Sequence, residues 1–396
     1  MAKILSIASR EWQYIRGNKR LLLIMCFIPT LYILLFGLMY SNHVVKHIKT
    51  VVLDYNQTAT SRLVIQAFQD SEKFDVVGYA GSEQELRRLL DNRRVTAAVV
   101  LPGDLDSNLK KGQGSEVLVI VNGSNMLYSN AVMSAANEIV ATLSAGASMK
   151  TLEAGQALLP EKAAATALPL KYRLRVWYNP TFNYSNFLLL GLACTALQQV
   201  ILLYMAIAVA REKETGALRE LLAAGYRAHH VVLGKMIPYF LLNIISANVV
   251  LGLCFTVFRI PFRGHYLLLL LLLGVFILAI LTLGIFLSIV CHNELEATQL
   301  AMLVAIPSFL FSGFTWPVQS MPLPAKLISG ALPLTYLVSD VRDIALMGIG
   351  LTQVLPNLLV LAGLFAVLLP ASVWCFNRQY QKMAAPAGQP PGHLSR

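Results

Sequence analysis

The stretch REKETGALRELLAAGYRAHHVVLGKMIP, Arg211 to Pro238, breaks the most apolar half of the chain with charge. Arg211, Glu212, Lys213 and Glu214 end one long apolar run, and Thr215-Gly216 is a helix break. Leu218, Leu221 and Leu222 then recur at i, i+3, i+4, the spacing of one helical face, with Arg219 and Glu220 beside them. Gly225 ends this short helix, and Gly234 and Pro238 lie where apolar sequence resumes. The pattern predicts a short amphipathic helix at a membrane surface. Such a helix either lies in the lipid interface or fits a groove on a soluble partner, and the spacing alone leaves both open.

The rest of the composition agrees with a membrane setting. Of 396 residues, 56% are hydrophobic and only 13% charged, with a mean hydropathy of +0.60. A soluble domain of this length cannot hide so much apolar sequence, so the chain reads as an integral membrane protein. The net charge of +11 is unevenly placed. Residues 46–182 hold 15 Lys/Arg and 13 Asp/Glu, whereas the remainder holds 17 against 8. The surplus therefore flanks the apolar runs and carries topology, not nucleic-acid binding, for which no basic and aromatic interleaving exists. None of the five cysteines (Cys26, Cys194, Cys254, Cys291, Cys375) falls in 46–182, so that block has no disulfide framework or thiolate metal site.

In chain order, residues 1–20 are basic, with Glu11 the lone acid, and place Leu5, Ala8, Trp12 and Ile15 on one helical face. This is an amphipathic connecting helix on the cytoplasmic surface. Leu21–Tyr40 is long enough to span, and no small-residue cleavage site follows it. Pro29 is expected to kink it. Residues 41–182 alternate strand and helix: Thr50–Asp54, Ser61–Phe74, Phe74–Tyr79, Ser82–Asn92, Val95–Leu101, Asp104–Lys111, Glu116–Val121, then a long Ala-rich helix near 125–157. This predicts a small, partly parallel α/β domain, extracytoplasmic if the N-terminus is cytoplasmic. His43 and His47 lack further ligands and read as interfacial histidines, and no HExxH, GxSxG or catalytic carboxylate pair is present.

Five more apolar runs follow, at Tyr184–Ala210, Val231–Phe258, Tyr266–Val290, Ala297–Phe314 and Val354–Phe376. The expected fold is an α-helical integral membrane protein with six transmembrane helices and an extracytoplasmic α/β domain between helices 1 and 2. Arg211, Lys213, Arg219, Arg227 and Lys235, then Arg378 and Lys382, put both termini inside; Arg259 and Arg263 are the local exception. Region 317–350 is dense in proline, and its apolar runs Ala325–Gly330 and Leu337–Met347 are too short to span, so it is expected to re-enter the outer leaflet. The cluster Ser339, Asp340, Arg342 and Asp343 reads more simply as an interfacial salt-bridge cluster than as part of a transport path. The tail 377–396 is cytoplasmic and turns Pro/Gly/Ala-rich from Ala384.

One span, a large external domain, five spans and a charged helix between spans two and three together resemble the ABC type-2 exporter permeases of the multidrug type. The resemblance covers nearly the whole chain. Arg211-Glu212-Lys213-Glu214-Thr215-Gly216, Leu218, Leu221-Leu222 and Gly234-Lys235 are similar to the family's R-E-x-E-x-G-T-x-E-x-L-L … G-K pattern. The chain departs at Ala217, where Thr is usual, and at Arg219, where Glu is usual. Ser312-Gly313-Phe314, Pro317, Met321-Pro322, Pro333 and Arg342 match a second family motif, and Val51–Asn56 with Ser61-Arg62 resembles the start of its external domain.

The resemblance implies that helix 211–225 is a coupling helix fitting a groove on a separate cytoplasmic ATPase. Arg211, Glu212, Glu214, Gly216, Leu218, Arg219, Leu221 and Leu222 would then form the contact, with the leucines in the groove and the charges at its rim. It implies a second permease subunit, identical or not, and leaves room for a periplasmic adaptor and an outer-membrane channel. Tyr184, Phe187, Phe311, Phe314 and Trp316 are candidates for the transport path or dimer interface. ATP and Mg would sit on the ATPase, because this chain has no GxxxxGK[ST] loop: Gly234-Lys235 lacks the upstream Gly and the Ser/Thr. The competing reading, a membrane-anchored sensor or assembly factor that binds through the external domain, has no use for a coupling helix. A secondary transporter would want ionisable residues within its spans, which are nearly absent.

Overall fold

In a computed structural model of the protein, the described residues are 1–40, 46–92, 94–111, 113–121, 126–156 and 184–384. His43 and the tail beyond Ala384 lie outside them. The chain divides into two units, residues 42–176 and the remainder.

Among the described residues, the larger unit holds six helices long and apolar enough to cross a membrane. They are α2 (Lys19–Met39), α7 (Tyr184–Glu214), α9 (Ala228–Thr256), α10 (Tyr266–Val290), α11 (Glu294–Phe311) and α14 (Leu351–Ala384). Pro29 removes one N–H from α2 and frees the Met25 carbonyl; Ser246 Oγ on α9 donates to that carbonyl at 3.3 Å. Helix α7 continues four residues past the expected end, so the quartet 211–214 is its last turn and not a stop. Helix α11 starts earlier than its apolar run, because Asn293 Oδ1 caps it from the Glu296 N–H at 2.7 Å. Glu294 and Glu296 also lie at its positive end. In the proline-dense region, α12 (Leu323–Ala331) and α13 (Pro333–Arg342) each place proline in the first turn, where its missing N–H costs nothing.

Helix α1 (Ala2–Gly17) packs along the start of α9 and buries Ile7, Ala8, Glu11 and Ile15. This corrects the expected face: Leu5 is 61% exposed and Trp12 36%. The cause lies on α9. Gly234 has no Cβ, and one placed there would sit 2.7 Å from the Ile7 Cβ and 2.9 Å from the Ile4 carbonyl. The helices meet at that point, and the next residue, Lys235, draws Glu11 inward.

The smaller unit is a four-stranded sheet in the order β2-β1-β3-β4, with β1 (Ile48–Asp54) parallel to β2 (Phe74–Tyr79) and β3 (Ala97–Leu101), and β4 (Leu118–Val121) antiparallel to β3. Helices α3 (Ala59–Gln69), α4 (Glu83–Asp91) and α5 (Leu105–Lys110) connect the strands, and α6 (Met126–Gln156) follows β4. Strand alternation sends Ile48 and Val52 to one face, with Phe68 and Val132, and Val51 and Leu53 to the other, with Leu86. Both faces are covered, as a mostly parallel sheet requires.

Candidate functional site: a buried charge cluster and an aromatic cavity on one helix

The last turn of α7 sends its four charged side chains to four different helices. Arg211 reaches Glu11 on α1, with Nη2 to Oε1 at 3.5 Å, and its guanidinium stacks on Tyr14, 3.7 Å from the ring centroid. Glu212 accepts from Arg10 on α1 and from Lys235 on α9, the latter at 3.0 Å. Lys213 donates to the carbonyls of Ser288, Ile289 and Cys291, which the end of α10 leaves without helical partners. Glu214 accepts from the Glu294 N–H at the start of α11, at 3.4 Å.

Lys235 is the centre of this cluster. It is 0% exposed and lies 2.8 Å from Glu11 Oε2 as well as 3.0 Å from Glu212. Tyr239, one helical turn on, donates to Glu11 Oε1 at 3.2 Å. Burial alone would push the Glu11 carboxyl upward. Lys235, Arg211 and the Tyr239 hydroxyl outweigh it and hold the group below its ordinary value. Three cations thus enclose two carboxylates, and a charge buried there is tolerated only because it is paired. The Gly234-Lys235 pair of the sequence pattern is explained: the glycine admits α1 and the lysine fastens it.

The short helix α8 (Ala217–Ala223) hangs between two left-handed glycines, Gly216 at φ +76° and Gly225 at φ +75°. Its leucines do not face outward. Leu218 and Leu221 are 3% and 6% exposed and join the hydrophobic core of their own unit, which corrects the expectation that they wait for a partner's groove. Water-exposed leucines would forgo roughly 1.5–3 kcal/mol each, and the bundle is the nearest apolar surface. The Leu222 side chain lies outside the described residues. Glu212 is also buried and is no rim residue. What α8 exposes is Arg219, Glu220 and Ala223.

At the other end of α7 lies a cavity of about 830 Å³. The second sequence motif builds much of its wall. Gly313, at φ +80°, turns the chain after α11 so that Phe314 folds back over α7. Gly191 on α7 admits that ring: a Cβ there would lie 2.2 Å from the Phe314 ring and 2.9 Å from Arg342 Nη2. Phe187 and Phe314 stack at 6.0 Å between centroids, and Phe309 meets Phe314 at 5.6 Å. The Arg342 guanidinium lies 3.8 Å from the Phe187 centroid and 5.2 Å from that of Phe314. Arg342 therefore stands in the cavity wall, not in an interfacial cluster on the surface. Asp340 Oδ1 accepts from Asn357 on α14 at 2.6 Å, behind the wall.

Of the sequence candidates, Phe187 and Phe314 line the cavity. Phe311 does not, because Phe309 occupies the inward position half a turn earlier, and Trp316 points away at 58% exposed. The Tyr184 side chain lies outside the described residues. Arg10, Tyr239, Phe309 and Asn357 were invisible as functional positions in the sequence. Glu11 had a signal, as the lone acid in a basic segment.

Comparison with known proteins places the chain. The family described as "ABC-2 family transporter protein" matches residues 19–374. The probable multidrug ABC transporter permease YbhS of Escherichia coli K12 is 24% identical over 75% of this chain and 74% of its own length. YbhR of the same strain, also named a probable multidrug ABC transporter permease, is 25% identical over 71% and 73%. ABC transporter G family member 20 of Dictyostelium discoideum is 28% identical over 50% of this chain and 27% of its own. With six candidate spans and a match from the first of them nearly to the end of the last, the chain belongs to the ABC-2 transporter family and is a multi-pass transmembrane subunit of an ABC transporter, which works with an ATP-binding subunit.

Proposed function

We propose that this subunit exports its substrate and receives the work of ATP hydrolysis through the exposed face of α8. The observation that carries this is the continuity of α7. Its Phe187 end lines the cavity and its Arg211–Glu214 end grips α1, α9, α10 and α11. Those ends are 24 residues apart on one helix, a separation of roughly 36 Å at 1.5 Å per residue. A push on α8 loads the last turn of α7, and the buried cluster carries α1 and α9 with it.

In this reading the ATPase is cytoplasmic and holds ATP and Mg. Both termini of the chain are cytoplasmic, following the basic flanks, and the sheet unit is extracytoplasmic. The cavity is part of the outward path, completed by a second permease copy, identical or not. The relatives' names point to drug-like cargo, and an adaptor with an outer-membrane channel would extend the route. Arg219, Glu220 and Ala223 make the ATPase contact, with Glu214 at its edge. Leu218 and Leu221 support the helix from behind.

The test is co-purification of the ATPase with Arg219→Glu, Glu220→Arg and Ala223→Trp variants at equal permease amount. Each is expected to lower ATPase recovery and transport together. Full recovery with all three would remove α8 as the contact.

A further inference from the structure

We propose that the cavity binds an amphiphile with one acidic headgroup, its anion on Arg342 and its apolar body against the rings. The proposal rests on reading the cavity as part of the substrate path, and it names the substrate class. Aromatic cavities ordinarily favour organic cations, which settle on ring faces. Here that position is taken. The Arg342 guanidinium lies over both Phe187 and Phe314, so the two best-placed rings already carry a cation. Arg342 is also the single formally charged side chain on the wall among the described residues. A cationic ligand would meet like charge and, among the described wall residues, no carboxylate, whereas a carboxylate, sulfonate or phosphate would meet a guanidinium, which pairs well with such oxyanions.

The remaining lining fits the rest of such a molecule. Thr335, Ser339 and Arg342 follow one another at i, i+4, i+7 on α13, so hydroxyl groups stand beside the guanidinium on one helical face. Phe36 on α2, Leu192 on α7 and Phe309 on α11 give apolar contact from three sides. Gly191 keeps this arrangement open, since any side chain there would collide with Phe314 and the guanidinium. A volume of about 830 Å³ accommodates one drug-sized amphiphile.

The test uses the full chain with its co-purifying partners in nanodiscs of neutral phosphatidylcholine, without nucleotide. The probes are dansyl-undecanoic acid, its methyl ester, and the amine of matched length. The acid is expected to bind at least about tenfold tighter than the ester, and the amine weaker still. Arg342→Gln should bring the acid down to the ester's affinity. Ser339→Asp leaves Arg342 in place, lies on an exposed position and should weaken the acid while strengthening the amine, which covers the case in which Arg342→Gln fails to fold. Competition by phosphatidic acid in the nanodisc assigns the site to a membrane lipid; competition by soluble decanoate alone assigns it to a soluble amphiphile. Equal binding of acid, ester and amine overturns the proposal, as does wild-type affinity for the acid in folded Arg342→Gln. Neither result touches α8, and loss of the α8 contact would leave this selectivity standing.

Discussion

Removing Glu11 should damage the protein more than removing Lys235, although the two are partners. Lys235→Met leaves Glu11 with Arg211 at 3.5 Å and Glu212 with Arg10, so each carboxylate keeps a cation. Glu11→Gln leaves Lys235, fully buried, with Glu212 alone, and that carboxylate is already shared with Arg10. Breaking a buried pair by deleting one partner costs about 3–5 kcal/mol. Lys235→Met belongs at the low end, about 3 kcal/mol, and Glu11→Gln at the high end, about 5 kcal/mol. The double variant leaves Arg10, Arg211 and one carboxylate, and should cost clearly less than the sum, by roughly 1–3 kcal/mol of coupling. The assay is reversible unfolding in mixed micelles of dodecylmaltoside and dodecyl sulfate, read for all four proteins of the cycle. Additive effects, or a Lys235→Met cost above that of Glu11→Gln, would refute the assignment of Lys235 as the shared cation.

Other outcomes follow from the same geometry. The Glu11 carboxyl is held below its ordinary 4.5, so its contribution to stability should be complete above that pH and fade only as the pH falls beneath it, a loss Glu11→Gln should abolish in acid unfolding curves. Leu221→Asp should cut the yield of folded permease in a detergent thermal-shift assay, because the leucine is buried within its own unit; a normally folded variant would contradict that. Gln198 is buried with both amide atoms unbonded among the described residues, so Gln198→Leu should raise the melting temperature; a fall would show that the amide has a partner. Cysteine introduced at Asn108 should react with an impermeant reagent in intact cells, and labelling only after permeabilisation would invert the topology.

Much of the architecture was legible because spans and strands announce themselves by period and length. Runs near 20 apolar residues and the strand–helix alternation of residues 48–121 need no tertiary information. The ends of helices were less legible. Glu214 is charged yet helical because its neighbour Lys213 satisfies the carbonyls of α10, a contact 75 residues away in sequence. The inward packing of the α8 leucines is not legible for a related reason: periodicity identifies an apolar face but not the surface that covers it. Phe309 and Phe311 are equally apolar, and only the turn at Gly313 decides which meets Phe314. Arg342 looked like a surface charge because its sequence neighbours are acidic, whereas its environment is made by α7 and the start of the proline-dense loop.

The distribution of the quartet Arg211–Glu214 over four helices sets a limit on interchange between permeases. Among the described residues, 216–225 touches the bundle through Leu218 and Leu221, which apolar residues of similar size can replace, and through the Gly225 carbonyl, a backbone group that Lys3 on α1 meets at 2.9 Å. Under the proposed ATPase contact, a transplant of residues 216–225 from another permease should therefore carry its partner preference into this scaffold intact. A transplant that begins at Arg211 imports charges whose complements sit on α1, at the head of α9 and at the ends of α10 and α11. The joint at Thr215 is thus where the exchangeable part of the subunit begins, and a chimera cut on the wrong side of it must bring Glu11 and Lys235 along.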